Sequence, residues 1–513
     1  MSVRVVTAAE AAARDTAAIA AGTPSRALMR RAGAAAADVI HQRCGEAARN
    51  RGVAVLTGPG NNGGDGWVVA GELARRGLTV RVHEVLESRT DDAKAEHADV
   101  LALVTSGPAS GTEGVVIDAL LGTGARGELA GPLRDAVAAI HACRQAGATI
   151  VALDVPTGVD ANAGAGTLSV IADLTVSFGT IKRGHLVSRG ACGTIVVVDI
   201  GLGGVADLAD EAPSLVDETW VATMLPRIAP ESHKGIRRRV VIGGGARGMA
   251  GAVTLAGRAA LRSGVGMVRL LAEEDSLVAV QIGLPEATAA TWPMSDLELG
   301  AQVNGYAHAV LLGPGLGRTD AAAVFLRQVL TLWRGPVVLD ADALNLFAAD
   351  VAGLAFALDG RAAMLTPHAN ELARLTGVDA HVVAANRFDI GCDLARSVNA
   401  TVLLKGVPTV IFTPDGGRLV SASGTPVLAA AGSGDVLGGI AVTLLAQTGD
   451  PVTSAAIAAW IHGRAAELAN AGRTVRGVTL DDVLTDMGRA WDVRAAPPTP
   501  PILVELPRVG DRP

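Results

Sequence analysis

A short segment in the last quarter of the chain carries the clearest chemical signal. Small residues lead from Thr425 to the run Gly432-Ser-Gly-Asp435, which opens an apolar helical pattern that extends to Leu445. Backbone N–H groups at a helix N-terminus favour an anion such as phosphate. A carboxylate beside that anion, here Asp435, could take a proton from a hydroxyl. The segment predicts phosphoryl chemistry on an alcohol; the alternative is a plain glycine-rich helix start.

Five further segments in the same half of the chain place glycines or polar side chains after apolar strand patterns. They are Gly243–Ala252, Leu312–Gly317, Val338–Asn345, Leu365–Glu371 and Leu403–Thr409. We expect them to line one cleft, in which His368 offers an imidazole and Lys405 lies where a nucleotide phosphate could bind. A single histidine is more often a structural hydrogen bonder, and a single glycine run is weak. The ordered set that ends at Asp435 is what favours a site.

In the first half of the chain, the glycine-rich run Gly58–Gly66 follows the apolar strand pattern Val53–Thr57 and precedes a helix predicted over Gly66–Arg76. Open α/β sheets bind ligands at this location, outside the carboxyl ends of their strands. The run is neither the dinucleotide fingerprint nor a phosphate-binding P-loop, because the required glycine spacing and Lys-Ser/Thr pair are missing. A solvated Gly/Asn turn is the alternative.

Two more predicted strand ends in this half carry carboxylates, Asp118 and Asp154, each followed by a Gly/Thr-containing turn. Asn62, Asp118 and Thr157 are hard oxygen donors that suit a monovalent cation or Mg²⁺, and the absence of His and Cys excludes a zinc-type site. Each Asp could equally cap a helix. Lys182 lies in a glycine-flanked loop and could transfer protons, although a lysine is usually a surface residue.

The elements that must position these residues alternate between short apolar strands and Ala-rich helices, which predicts mainly parallel sheets with helices on both faces. The regularity breaks between Gly201 and Ala229, where we place a domain boundary. Beyond Arg494 the prolines predict a mobile arm. We therefore predict two α/β domains, residues 1–210 and 225–490, and a Pro-rich tail, residues 491–513.

Composition limits the class of protein. Of the 513 residues, 49% are hydrophobic and 19% charged, which indicates a globular chain. A net charge of −7 argues against nucleic-acid binding. The four cysteines show neither metal-ligand spacing nor a disulfide framework. Since no signal peptide and no apolar run long enough to span a bilayer is found, we expect a cytoplasmic protein without membrane contact.

The second predicted domain, about residues 230–488, resembles the ADP-dependent NAD(P)H-hydrate dehydratases of the ribokinase-like superfamily. The matching motifs are His233-Lys-Gly235, Gly251-Ala252, Gly313-Pro-Gly-Leu-Gly317, Asp340-Ala-Asp-Ala-Leu-Asn345, Leu365-Thr-Pro-His368, Lys405-Gly406 and Ala431-Gly-Ser-Gly-Asp435. Departures are local: the run Gly248-Met-Ala-Gly251 replaces a more usual Tyr-containing run, and Asn370 stands where Gly is common.

The first predicted domain, about residues 1–202, resembles the NAD(P)H-hydrate epimerases. The matching motifs are Gly58-Pro-Gly-Asn-Asn-Gly-Gly-Asp-Gly66, Asp118-Ala-Leu-Leu-Gly-Thr-Gly124 and Asp154-Val-Pro-Thr-Gly158. Thr157 stands where Ser is usual, and the hydroxyl is kept. The two resemblances together imply a bifunctional NAD(P)H-hydrate repair enzyme: a Rossmann-like three-layer sandwich followed by a ribokinase-like α/β domain.

Carried over position by position, the resemblance implies a set of site residues. Substrate would be bound in the first domain by Asn61, Asn62, Gly63, Gly64, Asp65, Gly122, Thr123, Gly124, Ala125, Arg126, Gly127, Glu128 and Asp154, and in the second by Ala252, Gly315, His368 and Asp435. Adenine nucleotide would contact Lys405, Gly406, Val407, Pro408, Thr409 and Gly434. The residues implied for K⁺ are Asn62, Asp118 and Thr157, and the catalytic candidates are Asp435, Asp154 and Lys182.

The activity implied is repair of hydrated nicotinamide cofactors. The first domain would interconvert the R and S hydrates, and the second would dehydrate the S form with ADP to give NAD(P)H, AMP and phosphate. The partners implied are the two hydrates and ADP, with Mg²⁺ and K⁺ as cofactors, and we expect a homo-oligomer. Two alternatives remain: a ribokinase-like kinase of a small molecule such as a vitamin precursor, and a nucleotide-binding sensor that has lost catalysis.

Overall fold

The computed structural model describes residues 3–124, 127–166, 168–202, 211–494 and 499–510. They form two compact units. The chain passes from the first unit to the second between Ser214 and Leu215, and the described residues 499–509 belong to the first unit again.

The first unit is built from strands and helices that alternate along the chain. In order they are β1 (Val5–Val6), α1 (Ala8–Ala20), α2 (Ser25–Arg51), β2 (Val53–Thr57), α3 (Asn61–Arg75), β3 (Val80–Glu84), α4 (Asp91–Val100), β4 (Thr105–Ser106), β5 (Val115–Ala119), α5 (Pro132–Gln145), β6 (Thr149–Leu153), β7 (Val159–Asp160), β8 (Gly164–Ala165), β9 (Leu174–Phe178), β10 (Ile181–Lys182), α6 (Arg183–Val187), α7 (Arg189–Cys192) and β11 (Thr194–Val198).

Seven of these strands make one parallel sheet in the order β11-β9-β6-β5-β2-β3-β4. Successive side chains of a strand point to opposite faces, and both faces are buried here. Val53 and Val55 of β2 face the core that α2 and α3 cover, whereas Ala54 and Leu56 face the core that α5 covers. This arrangement is the predicted three-layer sandwich.

The second unit repeats the alternation with a larger sheet. In order its elements are β12 (Ser214–Val216), α8 (Glu218–Met224), β13 (Arg239–Gly243), α9 (Ala250–Arg262), β14 (Met267–Glu273), α10 (Glu274–Gly283), β15 (Thr288–Trp292), α11 (Asp296–Val303), β16 (Ala309–Leu312), α12 (Asp320–Leu332), β17 (Val337–Leu339), α13 (Asp342–Asn345), α14 (Val351–Leu358), β18 (Ala363–Leu365), α15 (Ala369–Thr376), α16 (Ala380–Ala385), α17 (Cys392–Val398), β19 (Thr401–Leu404), β20 (Thr409–Phe412), β21 (Arg418–Ser421), α18 (Ser433–Thr448), α19 (Pro451–Asn470) and α20 (Leu480–Ala490).

The strand order of this second sheet is β12-β21-β20-β19-β18-β17-β16-β13-β14-β15. The strands from β19 to β15 run parallel, and β20 and β21 add an antiparallel edge. Helix α18 packs against β16 and α9 at close range. A Cβ at Gly438 would lie 3.1 Å from Leu311, and one at Gly439 would lie 2.1 Å from the Ala256 carbonyl oxygen, so only glycine fits there without a shift.

The structure corrects three details predicted from the sequence. Helix α3 begins at Asn61 rather than Gly66, because the glycines pack tightly: a Cβ at Gly63 would lie 2.0 Å from the Gly58 carbonyl oxygen. Within the boundary region Gly201–Ala229, residues 214–216 already form a strand of the second sheet.

The third correction concerns the C-terminal tail. The structure places its residues Ile502–Leu506 in a strand, β22, that pairs antiparallel with β11 at the edge of the first sheet. The alternating burial of Val504 and Leu506 gives this segment an apolar face, which outweighs the prolines that precede it. The expected mobile arm is wrong for residues 502–506.

Among the described residues, no helix combines the length and apolarity that crossing a membrane requires.

Candidate active sites

The first unit gathers its predicted polar residues at the carboxyl ends of its parallel strands. Asp118 lies near the end of β5, Asp154 follows β6, and Lys182 ends β10. Asn62 lies in the first turn of α3, which follows β2. Strands β2, β5 and β6 are neighbours in the sheet, so these side chains meet at one edge.

Lys182 and Asp154 form a buried ion pair at this edge. Lys182 Nζ donates to Asp154 Oδ1 at 2.5 Å and to Ser177 Oγ at 3.0 Å, and the lysine side chain is 2% exposed. Asp154 has a φ of 61°, which costs backbone energy and is typical of functional sites. Its second oxygen, Oδ2, accepts the Thr123 N–H at 3.3 Å. These hydrogen bonds hold the pair in place.

His185 fixes both members of this pair, and sequence reasoning missed it. Its Nδ1 accepts the backbone N–H of Lys182 at 3.2 Å, and its Nε2 donates to the backbone carbonyl of Asp154 at 2.8 Å. Burial, and then the charge of Lys182, lowers the pKa of His185 to about 3, so the ring is neutral. The sequence signal for it is the Lys182-x-x-His185 spacing.

The three residues implied for K⁺ are all buried. Thr157 donates to both oxygens of Asp118, from Oγ1 at 2.7 Å and from its backbone N–H at 2.7 Å. Burial raises the pKa of Asp118 to about 6. Asn62 is 7% exposed, and neither its Oδ1 nor its Nδ2 has a hydrogen-bond partner in the part of the chain that the structure describes. A buried amide oxygen without a donor, near a buried carboxylate, fits a cation ligand.

The remaining predicted substrate residues of this unit divide into two groups. Gly122 lies between Asp154 and Asn62, because a Cβ there would lie 3.1 Å from Asp154 Oδ2 and 3.4 Å from Asn62 Cγ. Asp65 is buried, and burial followed by the charge of Asp154 raises its pKa well above the usual range. Gly63 and Gly64 are buried in helix packing, whereas Asn61, Gly124, Gly127 and Glu128 are exposed, and Ala125 and Arg126 lie outside the described residues.

In the second unit, Asp435 is the third residue of α18. The residue before this helix, Gly432, has a φ of 90°, a conformation that glycine adopts without strain. The N–H of Ser433 donates to the Ala430 carbonyl at 3.2 Å, but within the described chain the N–H groups of Gly434 and Asp435 have no partner. Unpaired N–H groups at a helix N-terminus favour an anion. Burial, and then the charge of Asp340, raises the pKa of Asp435 to about 7, although Lys405 opposes the rise.

Lys405 forms ion pairs with two carboxylates. Its Nζ donates to Asp340 Oδ1 at 2.7 Å and lies 3.6 Å from Glu371 Oε2. Although burial opposes it, the charges of Asp340 and Glu371 raise the pKa of Lys405, which keeps it protonated. A Cβ at Gly434 would lie 3.3 Å from Lys405 Nζ, so this ammonium sits against the first turn of α18. Asp340 and Glu371 lie in two of the segments identified in the sequence, which predicts no individual role for either residue.

His368 caps helix α15 and reaches the same cluster. Its Nδ1 accepts the N–H groups of Asn370 and Glu371, and its Nε2 lies 3.4 Å from Glu371 Oε1. Burial lowers the pKa of His368, so the half-exposed ring is neutral near pH 7. Its backbone bridges to Lys405. The Nε2 edge of the imidazole thus faces the Glu371 carboxylate.

The glycine loops after β13 and β16 lie together. The N–H groups of Gly245 and Ala246 donate to the carbonyls of Pro314 and Gly315 at 2.9 and 2.7 Å. A Cβ at Gly315 would lie 3.0 Å from the Ala252 side chain, so these two predicted substrate residues are neighbours. The close fit explains why glycine stands at position 315, where φ is 55°.

The predicted nucleotide segment Lys405–Thr409 is exposed at Gly406 and Val407 and buried at Pro408, and Arg387 packs against it. Arg387 Nη1 donates to the Pro408 carbonyl at 2.9 Å and packs against Gly406. Val407 is 65% exposed, which leaves an apolar surface beside the cleft. Sequence reasoning missed Arg387, because it lies 18 residues from Lys405 and no motif marks it.

Comparisons with known proteins divide the chain in the same way. Residues 240–488 match the family model described as NAD(P)H-hydrate dehydratase, and residues 25–184 match the model described as YjeF-related protein N-terminus. A solved structure titled ADP/ATP-dependent NAD(P)H-hydrate dehydratase from Bacillus subtilis is 30% identical, covers 54% of this chain and 97% of its own, and has a TM-score of 0.49.

Relatives over the full length carry a single description. The bifunctional NAD(P)H-hydrate repair enzyme of Salinibacter ruber is 36% identical over 505 residues, which is 90% of this chain and 91% of the relative. The enzyme of the same description from Escherichia coli is 33% identical over 478 residues, 90% of this chain and 88% of the relative. The chain therefore belongs to the family of bifunctional NAD(P)H-hydrate repair enzymes.

Proposed function

We propose that this chain repairs hydrated nicotinamide cofactors in two steps. The first unit interconverts the R and S forms of the hydrate, and the second dehydrates the S form with ADP to give NAD(P)H, AMP and phosphate. One observation carries the proposal: Asp435 has a pKa raised to about 7 and stands beside two backbone N–H groups without partners in the described chain. Phosphoryl transfer from ADP to a hydroxyl needs this combination of base and anion site.

The dehydration begins at the C6 hydroxyl of the reduced nicotinamide ring. Asp435 takes the hydroxyl proton as the oxygen attacks the terminal phosphorus of ADP, and AMP leaves with the electrons of the broken P–O bond. The N–H groups of Gly434 and Asp435 donate to the transferring phosphoryl group, and the ammonium of Lys405 lies next to them. The ring nitrogen then expels phosphate from C6, and loss of a C5 proton restores the double bond.

The residues around this centre position the two reactants. We assign hydrate binding to Ala252, Gly315 and His368, since Ala252 and Gly315 are in contact and His368 offers a neutral N–H edge. We assign the adenine nucleotide to the segment Lys405–Thr409, of which Gly406 and Val407 are exposed, and to Gly434, which lies against the Lys405 ammonium. The contact between Lys405 and Gly434 brings the nucleotide loop to the phosphoryl site.

In the first unit, Asp154 and Lys182 are the proposed acid–base pair. Inversion at C6 requires that a bond to this carbon break and re-form on the other face, with one proton delivered and one removed. The two side chains share a hydrogen bond of 2.5 Å, so one can give a proton while the other takes one. The proposed hydrate site comprises Asn61–Asp65, the 122–128 loop and Asp154, of which Gly122 and Asn62 adjoin Asp154.

Two cations belong to the proposal. Asn62, Asp118 and Thr157 would hold K⁺. The ion would neutralise the buried Asp118 carboxylate, whose hydrogen bonds from Thr157 bring no positive charge. Mg²⁺ would enter as the counter-ion of the ADP phosphates.

We further propose a cytoplasmic homo-oligomer. Three apolar side chains of the second unit, Ile282, Leu297 and Phe356, are 77%, 85% and 86% exposed, and burying any of them in a subunit contact would be favourable.

Purified protein given S-hydrate and ADP tests the dehydratase directly. We expect reduced-nicotinamide absorbance to return with one AMP and one phosphate released per NAD(P)H formed. A stable phosphorylated product, or nucleotide binding without turnover, would reject the proposal in favour of a kinase or a sensor.

A further inference from the structure

Helix α19 packs against the loop between β21 and the catalytic helix α18. A Cβ at Gly463 would lie 2.4 Å from the backbone carbon of Ser423, so helix and loop are in direct backbone contact. One turn further along the helix, Glu467 Oε1 accepts the N–H of Gly424 at 3.0 Å. The loop is thus fixed at its beginning by α19.

The same helix also reaches the end of this loop. His462 Nε2 lies 3.4 Å from Ser433 Oγ, and Ser433 is the first residue of α18. Both side chains are buried, at 6% and 7% exposure, and the dehydration steps above use neither. A buried polar pair that takes no part in these steps is expected to have a structural role.

The charge state of His462 defines what the pair can do. Burial, and then the charge of Lys405, lowers the pKa of His462 to about 4. The ring is therefore neutral at pH 7, and a neutral imidazole makes one directional hydrogen bond at Nε2 without adding charge beside Asp435.

We propose that His462 is a positioning residue of the dehydratase: its hydrogen bond to Ser433 sets the first turn of α18, so that the N–H groups of Gly434 and Asp435 meet the transferring phosphoryl group. This inference rests on the proposed function. The Ser433 N–H already donates to Ala430, so the orientation of the turn decides where the next two N–H groups point.

The expected effect follows from what such donors contribute. Loss of one oxyanion donor lowers kcat by roughly 10²–10³, and misplacement by about 1 Å can cost ~10². Because His462→Leu would tilt the donors rather than remove them, we expect kcat to fall by roughly 10- to 100-fold. KM for the hydrate should change little, since Ala252, Gly315 and His368 lie on other elements.

The test compares His462→Leu with His462→Gln, whose amide can donate to Ser433 again. The matched control is Ser454→Ala, which removes a buried hydroxyl of the same helix that bonds to Thr448 and Asp450, away from the loop. Each variant is measured for kcat, for KM, and for amide hydrogen exchange of residues 431–436. We expect His462→Leu to lower kcat and speed this exchange, His462→Gln to restore both, and Ser454→Ala to leave both unchanged.

The inference fails if His462→Leu keeps the kcat of the unaltered protein and the slow exchange of residues 431–436. It also fails if His462→Gln is as impaired as His462→Leu. Should His462→Leu not fold, Ser433→Ala removes the other partner and is judged by the same readouts. If the unaltered protein does not dehydrate the hydrate, the proposed function fails alone, and the exchange of residues 431–436 in the variants still decides the positioning role.

Discussion

At Asp435 the protein holds a carboxyl group near the midpoint of its titration. Burial and the charge of Asp340 raise its pKa to about 7, while the Lys405 ammonium limits the rise. A base of this strength can accept a proton at neutral pH and still be ionised often enough to act. Lys405 and Asp340 thus shift the pKa of this carboxyl group in opposite directions.

The first prediction is the pH dependence of dehydration. Since Asp435 must be ionised to act, kcat/KM should rise with pH through about 7 and level off above it. The terminal phosphate of ADP titrates in a similar range, so ADP affinity measured calorimetrically over the same pH values is the control. A flat profile between pH 5 and 9, at constant ADP affinity, would remove Asp435 as the base.

The second prediction concerns stability in acid. His462 has a folded pKa of about 4, below its value in the unfolded chain, so below about pH 6.5 the unfolded state binds more protons. The free energy of unfolding of the second unit should therefore decrease as pH falls from 6.5 to 4. In His462→Gln this part of the decrease should disappear, as urea unfolding at several pH values would show. An unchanged slope would mean that the ring is charged in the folded state.

At the scale of single elements, strand β22 is the least expected feature. It covers the edge strand β11, and the side chains around it make ion pairs with the first unit: Arg508 Nη1 lies 3.0 Å from Asp173 Oδ1, and Glu505 Oε2 lies 2.5 Å from Arg43. A bare edge strand invites pairing with other chains. The C-terminal strand therefore stabilises the first unit although it follows the second in sequence.

The third prediction tests this strand. A chain that ends at Arg494 should unfold its first unit at lower temperature and aggregate more readily, because the β11 edge is exposed. S-hydrate dehydration by the second unit should continue at the normal rate. A chain that ends at Gly510 is the control. Equal unfolding temperatures of the two truncated chains would show that β22 contributes nothing to stability.

Elements and site residues differ in how far sequence could predict them. Glycine loops after strands and the carboxylates that follow them are local patterns, so the fold class was predicted correctly, and the structure brings Asp118, Asp154 and Lys182 to one sheet edge. His185 lies three residues from Lys182, so its contact is local, whereas the partner of Ser433 comes from a distant segment. His462 lies 29 residues from Ser433, and no spacing marks their contact.

Strand β22 was missed for a different reason. Four of its residues Ile502–Leu506 are apolar, but the prolines immediately before them favour an irregular tail. Its partner β11 lies about 300 residues earlier, and strand pairing over such a separation depends on tertiary packing. Helix α3 begins earlier than its glycine-rich sequence predicts, because glycine is typical of turns but here permits close packing at Gly63 and Gly66.

At the scale of the whole molecule, one chain carries two sites with different chemistry. The acid–base pair of the first unit and the phosphoryl site of the second share no residue. Their common hydrate links the two reactions, since epimerisation supplies the S form that dehydration consumes.

The fourth prediction follows from this separation. The Lys182→Ala variant should convert only the S hydrate to NAD(P)H, and the Asp435→Asn variant should convert neither form. An equimolar mixture of the two variants should recover both forms, because the S hydrate can diffuse from one molecule to the other. Asp393→Asn, a change at a side chain that is 93% exposed, is the control and should behave as the unaltered protein. A mixture that recovers only the S form would indicate that the hydrate does not pass between molecules.

The most direct test of the account is the dehydration rate of Asp435→Asn with S-hydrate and ADP, measured by the return of reduced-nicotinamide absorbance. The substitution keeps size and hydrogen bonding but removes the base, so we expect kcat to fall by roughly 10²- to 10⁴-fold while ADP still binds. A variant that dehydrates the S-hydrate at the rate of the unaltered protein would contradict the assignment of Asp435 as the base that starts phosphoryl transfer.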